Sequence, residues 1–188
     1  MPFDYAIHSD FLIHWTGWDF DKEDWYSKES SNIENPKLIQ DYLDRLIDIL
    51  KYGFWLTDEP ETKITINGKE ITIPSTQRVC FTELKLSESR KHAKEYGRLG
   101  IGIKRPYLFC RHGRPLVYYG FGGNNQRDPF LCECANNFKD MKLLNFFKPM
   151  NSQNHKPNYD FYNESEWRIP FLQELLNKRA QKGSRRNL

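Results

Sequence analysis

The chain has 188 residues, 38% of them hydrophobic and 28% charged, which is typical of one globular domain with one core. Its 28 basic and 25 acidic residues give a net charge of +3, which does not require a nucleic-acid partner. The N-terminus lacks the runs of a signal peptide and no apolar window approaches the ~18 residues of a membrane span, so we expect a cytoplasmic protein without membrane contact.

The first predicted elements are a strand and a helix. Residues 11–16, "FLIHWT", combine apolar and β-favouring residues and predict a short strand. Asn35 and Pro36 are typical of an N-cap and a first helical position, and Gly53 is typical of a helix end. Apolar residues recur at helical spacing between these signals, and we assign them to the core: Ile39, Leu43, Leu46 and Leu50. The polar segment before this helix is predicted to be a loop.

The middle of the chain predicts mainly strands. Asn67-Gly68 lies between runs that alternate isoleucine with polar residues, which is a strong signal for a two-residue β-hairpin turn. Residues 78–84 predict a central strand, and residues 87–96 a short helix ended by Gly97. The segments "LGIGIKRPYLF" (99–109) and "RPLVYYGF" (114–121) each predict a further strand.

The C-terminal third predicts a helix over residues 131–150, a loop over 151–163, and a strand in "ESEWRIPF" (164–171). Strands and helices do not alternate regularly as they do in doubly wound nucleotide-binding folds. We therefore predict an α+β fold with a mixed or antiparallel sheet. Residues 1–178 form one domain in this prediction, and residues 179–188, "RAQKGSRRNL", form a basic, flexible tail.

Several common catalytic and metal-binding motifs are missing. The chain has no G-x-S-x-G elbow, no Walker loop and no H-E-x-x-H, and "GRLGIG" lacks the glycine order of a dinucleotide cradle. Cys132 and Cys134 offer at most two zinc ligands, and the four cysteines have no C-x-x-C spacing. We therefore expect reduced thiols and no metal site.

Two carboxylates two positions apart, Glu164 and Glu166, are the strongest candidates for chemistry. Residues two apart in a strand point to the same face, so both side chains are expected at one surface. Like charges held this close raise at least one pKa unless a cation compensates, and Arg168 lies on the same predicted face. The pattern fits either a ladder of salt bridges or a prepared site.

The order of "HWTG", "VCFTELKLSESRKHAKEYGRLGIGI", "RPLVYY" and "ESEWRI" resembles the AbiGi-type proteins of bacterial abortive phage resistance, over about residues 11–169. More distantly, the same order resembles the ADP-ribosyltransferase fold, whose sheet is split. That fold carries a His or Arg on the first strand, an aromatic or hydroxyl residue on the next, a second aromatic on a helix and a late Glu. The matching positions here are His14, Phe81, Thr82, Tyr96, Glu164 and Glu166.

The resemblance implies that NAD is the substrate. Glu166 would stabilise the positive charge that develops on the ribose when the bond to nicotinamide breaks. His14 would bind a ribose hydroxyl on the adenosine side, and backbone groups near it, at Trp15 and Thr16, would hold the nicotinamide amide. Glu164 would serve the acceptor side or have a supporting role.

The resemblance also implies how the leaving group is oriented. Phe81 and Tyr96 would sandwich the nicotinamide ring, and Thr82 would donate a hydrogen bond that orients Glu166. The sequence departs from the usual pattern at two positions. His14 is followed by Trp-Thr-Gly rather than directly by glycine, and Phe81 stands where Tyr or Ser is common.

Two functions follow from these resemblances. The first is an NAD-dependent ADP-ribosyltransferase or NAD glycohydrolase in phage defence, whose acceptor is a protein, a nucleic acid or water. The second is a non-enzymatic antitoxin or regulatory protein that binds its cognate partner, as AbiGi-type proteins are described. In the second case, "EWRIP" is a core strand in which Arg168 pairs with Glu166.

Overall fold

Ten strands and four α-helices are described in the computed structural model, which covers residues 8–20, 35–66, 69–84, 86–120, 129–150 and 161–171. In chain order they are β1 (His8–Thr16), α1 (Pro36–Tyr52), β2 (Thr57–Glu59), β3 (Thr62–Ile66), β4 (Lys69–Ile73), β5 (Thr76–Leu84), α2 (Arg90–Tyr96), β6 (Leu99–Lys104), α3 (Arg105–Cys110), β7 (Arg114–Pro115), β8 (Val117–Tyr119), α4 (Pro129–Asn137), β9 (Phe147–Pro149) and β10 (Glu166–Pro170). Short 3-10 helices span Leu86–Glu88, Met141–Phe146 and Phe161–Glu164. The predicted α+β class is confirmed.

The main sheet has a gap on one side of its central strand. Its order is β6-β1-β5-β10-β7, all pairs are antiparallel, and β2 also pairs with β5. β10 runs along one side of β5, so β1 and β2 share the other side, where Ile13 lies opposite Thr82 and Thr57 opposite Arg78. Cys80 falls between these two pairings. The sheet is therefore split beside Cys80.

Helix α1 begins and ends where the sequence predicts. The side chain of Asn35 accepts hydrogen bonds from the backbone N–H groups of Lys37 and Leu38, and Pro36 occupies the first turn. Gly53 ends the helix with a φ of 92°, a conformation that glycine adopts at little cost. Local capping chemistry is sufficient to set both ends of this helix.

The apolar stripe of α1 does not face the core, so that prediction was wrong. Three of its members are exposed, namely Ile39, Leu43 and Leu50, and the fourth, Leu46, is half-buried. The helix is instead buried at Tyr42 and Ile49, about 80° around the helix from the centre of the stripe. Tyr42 sets this rotation, because its hydroxyl donates to the Gly17 carbonyl and its ring covers Gly17 at the end of β1.

The predicted hairpin is present as the antiparallel pair β3 and β4. Ile66 lies opposite Lys69, and the Asn67-Gly68 turn itself is outside the described residues. This hairpin forms a two-stranded sheet of its own. Ile71 attaches it to a cluster with Leu131 and Ala135 of α4 and with Leu144.

The segment "RPYLF" was predicted as strand but forms helix α3. Strand β6 ends at Lys104, and Pro106 occupies the first turn of the helix. Proline cannot donate to a strand ladder but fits a first helical turn, which explains the change. Leu108 of α3 is completely buried and joins the main core, which contains Leu12, Val79, Phe81 and Trp167.

The segment "RPLVYYGF" also differs from the prediction of one strand. β7 pairs with β10 in the main sheet, whereas β8 pairs with β9 in a separate parallel pair. The buried Leu116 stands between them, and its N–H donates to the Glu166 carbonyl. The segment predicted as helix over residues 131–150 contains most of α4, the helix Met141–Phe146 and the strand β9.

Parts of the predictions fall on residues that the structure does not describe. These are most of the loop before α1, most of the loop over residues 151–163, and the basic segment 179–188 with the boundary before it. Within the described ranges, no helix has the length and apolar character needed to cross a bilayer.

Candidate functional site

A cavity of about 820 Å³ lies at the split of the main sheet. Its walls come from β1, β5, α2, β9 and β10, and this volume is in the usual range for small-molecule sites. Every site residue predicted from the sequence lines it: His14, Trp15, Thr16, Phe81, Thr82, Tyr96, Glu164 and Glu166. Residues that are far apart in the sequence thus contribute to one cavity.

One buried part of the cavity is a cluster of two carboxylates and two cations. The Lys148 ammonium lies 2.5 Å from Oε2 of Glu164 and 2.6 Å from Oε2 of Glu166. Nε of Arg168 donates to Oε1 of Glu166 at 2.6 Å. The Tyr96 hydroxyl donates to Oε1 of Glu164 at 2.9 Å. The four formal charges of the cluster cancel.

Glu164 and Glu166 reach this cluster from different backbone conformations. The expected continuous strand is interrupted, because Glu164 ends a 3-10 helix and Ser165 has a φ of 44°. Strand β10 begins only at Glu166. The two carboxylates therefore meet through their shared partner Lys148 rather than through strand alternation.

Thr82 supports the turn that places Glu164. It lies opposite Glu166 in the sheet, but its hydroxyl donates to the backbone carbonyl of Glu164 at 2.5 Å. The next residue, Glu83, donates its N–H to the Ser165 carbonyl. The hydrogen bond expected from Thr82 to the Glu166 carboxylate is thus replaced by one that fixes the backbone beside it.

The charge state of Glu166 follows from its partners. Burial alone would favour the neutral acid, but the charges and hydrogen bonds of Arg168 and Lys148 outweigh it and lower the pKa of Glu166 to about 2. Glu166 is therefore ionised at neutral pH. The sequence indicated Arg168 as a compensating cation but gave no signal for Lys148, which lies on β9, the strand that pairs with β8.

His14 lies at the split beside Cys80. Its Nδ1 is 2.9 Å from the Cys80 carbonyl oxygen, so this nitrogen carries the proton and Nε2 is a hydrogen-bond acceptor. The ring packs against Phe54 and Phe81, with centroids 5.0 and 5.7 Å away. Burial, reinforced by Arg45, lowers the pKa of His14 despite the opposing hydrogen bond to Cys80. The imidazole is therefore neutral at pH 7.

His14 and Glu166 approach the cavity from opposite faces of the sheet. Ile13 is opposite Thr82, which is opposite Glu166, so strand alternation turns His14 to the other face. Phe81, only 3% exposed, lies on that other face against His14. Phe81 is therefore not opposite Tyr96, contrary to the expected sandwich. Both groups still line one cavity because the sheet is open beside Cys80.

Trp15 and Thr16 form the cavity wall at the end of β1. The Trp15 ring lies over Gly100 of β6, where an added Cβ would come within 2.8 Å of the indole. The Thr16 hydroxyl accepts a hydrogen bond from Arg45, which also forms an ion pair with Asp19 at 2.7 Å. Arg45 is a further cation of the cavity that the sequence did not indicate.

The end of α2 is held tightly against β1, which fixes Tyr96 in the cavity wall. The Tyr96 carbonyl accepts a hydrogen bond from the Trp18 N–H. Gly97 follows with a φ of 110°, and an added Cβ there would lie 2.4 Å from the Thr16 carbonyl oxygen. The glycine predicted as a helix end is thus also required for this close approach.

No protein-family model, curated protein or solved structure matches this chain. The resemblances to AbiGi-type proteins and to ADP-ribosyltransferases therefore stay predictions. Among the residues that the structure describes, no three His, Cys, Asp or Glu side chains form a group that could hold a metal ion.

Proposed function

We propose that this protein binds NAD in the cavity at the split of the main sheet and cleaves the bond between nicotinamide and ribose. The product is ADP-ribose joined to an acceptor or to water, as in an ADP-ribosyltransferase or an NAD glycohydrolase. The observation that carries the proposal is the shared cavity. The resemblance implies a set of NAD-binding residues that are spread along the chain from His14 to Glu166, and all of them line this cavity.

The carboxylate cluster suits the charge that this reaction develops. When the bond from ribose C1′ to nicotinamide breaks, the electron pair leaves with nicotinamide and the ribose becomes positively charged. Glu166, with a pKa of about 2, provides a permanent negative charge in the cavity. Its hydrogen bonds to Lys148 and Arg168 fix that carboxylate before substrate binds.

Other residues of the cavity would position the substrate and the acceptor. The neutral His14 offers Nε2 to a ribose hydroxyl of the adenosine half. Tyr96 is 42% exposed and presents one aromatic face for the nicotinamide ring, without the help of Phe81. Glu164 accepts the proton that the acceptor group or water loses as its bond to C1′ forms. Tyr96 and Lys148 hold Glu164 for this role.

The experiment is NAD titration by calorimetry, with nicotinamide release followed by chromatography in the presence of protein, DNA, RNA or water alone as acceptor. We expect Glu166→Gln to lower nicotinamide release by about 100-fold or more while NAD still binds. Glu70→Gln is the matched control, because Glu70 forms an exposed ion pair with Lys63 outside the cavity. If the folded wild type neither binds NAD nor releases nicotinamide with any acceptor, the proposal fails.

The second candidate is the non-enzymatic antitoxin or regulatory protein of an abortive-infection pair. The closed ion pair of Glu166 with Arg168 favours it, since both oxygens of Glu166 already contact cations and both residues are buried. A carboxylate neutralised in this way is well suited to holding a core strand. On this reading, the protein co-elutes with its cognate toxin and shows no NAD chemistry, and Glu166→Gln weakens only the fold.

The biological setting, bacterial defence against phage, comes from the AbiGi-type resemblance alone. It can be tested by expressing the wild type and Glu166→Gln in a bacterial host and measuring phage plaque formation. A wild-type reduction in plaques that Glu166→Gln abolishes, with equal protein levels, supports defence through this site. Equal plaque numbers with the wild type and with empty vector contradict it.

A further inference from the structure

His92 of α2 is a buried residue of the cavity wall. It is 5% exposed and lines the cavity, and neither ring nitrogen has a hydrogen-bond partner within the described part of the chain. Its ring lies 5.8 Å from that of Tyr96, at an angle of 37°. The sequence gave no reason to select this histidine.

A second side chain of the same cavity has the same property. The indole N–H of Trp15 is buried and, across the described ranges, has no acceptor. Buried polar atoms are nearly always hydrogen-bonded in folded proteins, so such atoms need an explanation. Because His92 and Trp15 line the same cavity, a molecule bound there can supply their missing partners.

The chemistry of His92 narrows the choice of that molecule. Burial lowers the pKa of His92, although the charge of Glu164 acts in the opposite direction, so the ring is neutral at pH 7. A neutral imidazole presents one donor and one acceptor. The two ring nitrogens point in divergent directions, so one ligand group meets only one of them. A primary carboxamide can meet either nitrogen, because its NH2 donates to the unprotonated one and its oxygen accepts from the N–H. A carboxylate can only accept, so it cannot pair with the unprotonated nitrogen of His92.

We propose that His92 binds the carboxamide of the nicotinamide ring of NAD. This inference rests on the proposed function. It places the nicotinamide beside Tyr96, which lies one helical turn after His92 on α2 and whose hydroxyl donates to Glu164. The amide then has a side-chain partner on α2 in addition to the backbone groups near Trp15 and Thr16 that the resemblance implies.

The test compares NAD with nicotinic acid adenine dinucleotide, which differs only in carrying a carboxylate in place of the carboxamide. Calorimetry gives the dissociation constants of both for the wild type, His92→Leu and His92→Gln. Leucine removes both hydrogen-bonding atoms, whereas glutamine keeps a donor and an acceptor, and both residues suit a helix. Circular dichroism confirms that each variant is folded.

We expect the wild type to prefer NAD by at least about tenfold, the value of roughly one hydrogen bond. His92→Leu should reduce the preference to about twofold or less by weakening NAD binding, and His92→Gln should retain most of it. Tight NAD binding with the same preference in His92→Leu as in the wild type overturns this inference alone. Absence of NAD binding by the folded wild type overturns the proposed function as well.

Discussion

Replacing Glu166 by glutamine tests the charge cluster through protein stability as well as through chemistry. Glutamine keeps the size of the side chain but removes the negative charge shared by Lys148 and Arg168. Glu166 and Arg168 are 7% and 4% exposed, so water cannot replace the lost partner. Breaking a buried ion pair in this way leaves a buried cation without compensation.

The magnitude follows from the pKa of Glu166. Its ordinary value is 4.5 and its folded value about 2. A difference of one pKa unit corresponds to about 1.4 kcal/mol, so this difference contributes about 3 kcal/mol to the folding free energy. A carboxylate whose pKa is lowered by folding stabilises the protein fully above its unfolded pKa, and the contribution is lost as pH falls from about 4.5 toward 2. At pH 3 about 1 kcal/mol is left.

Urea unfolding of the wild type and Glu166→Gln at pH 7 and at pH 3 measures both values. The difference between the two proteins should be about 3 kcal/mol at pH 7 and should shrink to about 1 kcal/mol at pH 3, because the contributions of other titrating groups largely cancel. Glu70→Gln, which removes an exposed partner of Lys63, should change stability by less than about 1 kcal/mol at either pH. A Glu166→Gln cost below about 1 kcal/mol at pH 7, or one that does not shrink at pH 3, would refute the reasoning.

Four substitutions test the packing. Ile49→Ala should lower the free energy of unfolding in urea by about 2–5 kcal/mol, because Ile49 is buried. Leu50 is 74% exposed, so Leu50→Ala should lower it by only about 0.5 kcal/mol. Equal losses would mean that α1 packs through its other face. Gly97→Ala should lower the free energy of unfolding by about 2 kcal/mol or more, because the Cβ of the alanine would clash with the Thr16 carbonyl. An unchanged midpoint of thermal unfolding would contradict this close approach. His92→Leu should keep or raise the stability of the ligand-free protein by about 1 kcal/mol, whereas a clear loss in thermal unfolding would show that its ring nitrogens are hydrogen-bonded.

Local signals in the sequence predicted the parts of the fold that local chemistry determines. Asn35, Pro36 and Gly53 gave the ends of α1, and the alternation around Asn67-Gly68 gave the β3–β4 hairpin. In each case, the hydrogen bonds involved connect residues only a few positions apart. Such interactions can be inferred without knowledge of the rest of the chain.

Tertiary contacts determined what the sequence did not predict. The rotation of α1 depends on Tyr42 covering Gly17, a contact that the helical spacing of leucines cannot reveal. Proline at position 106 changed the end of a predicted strand into α3. The carboxylates of the site were predicted, but their common cation was not, because Lys148 shares no sequence pattern with Glu164 or Glu166.

Lys148 adds side-chain ion pairs between the β8–β9 pair and the main sheet. β9, which carries it, pairs with β8 and not with the main sheet. Without Lys148, the charges of Glu164, Glu166 and Arg168 sum to −1, and the ammonium brings the sum to zero. Local opening of β9 therefore exposes an unbalanced buried charge. We therefore expect the ion pairs of Lys148 to hold this strand of three residues on the domain, and its backbone amides to exchange hydrogen more slowly than the length of the strand alone would provide.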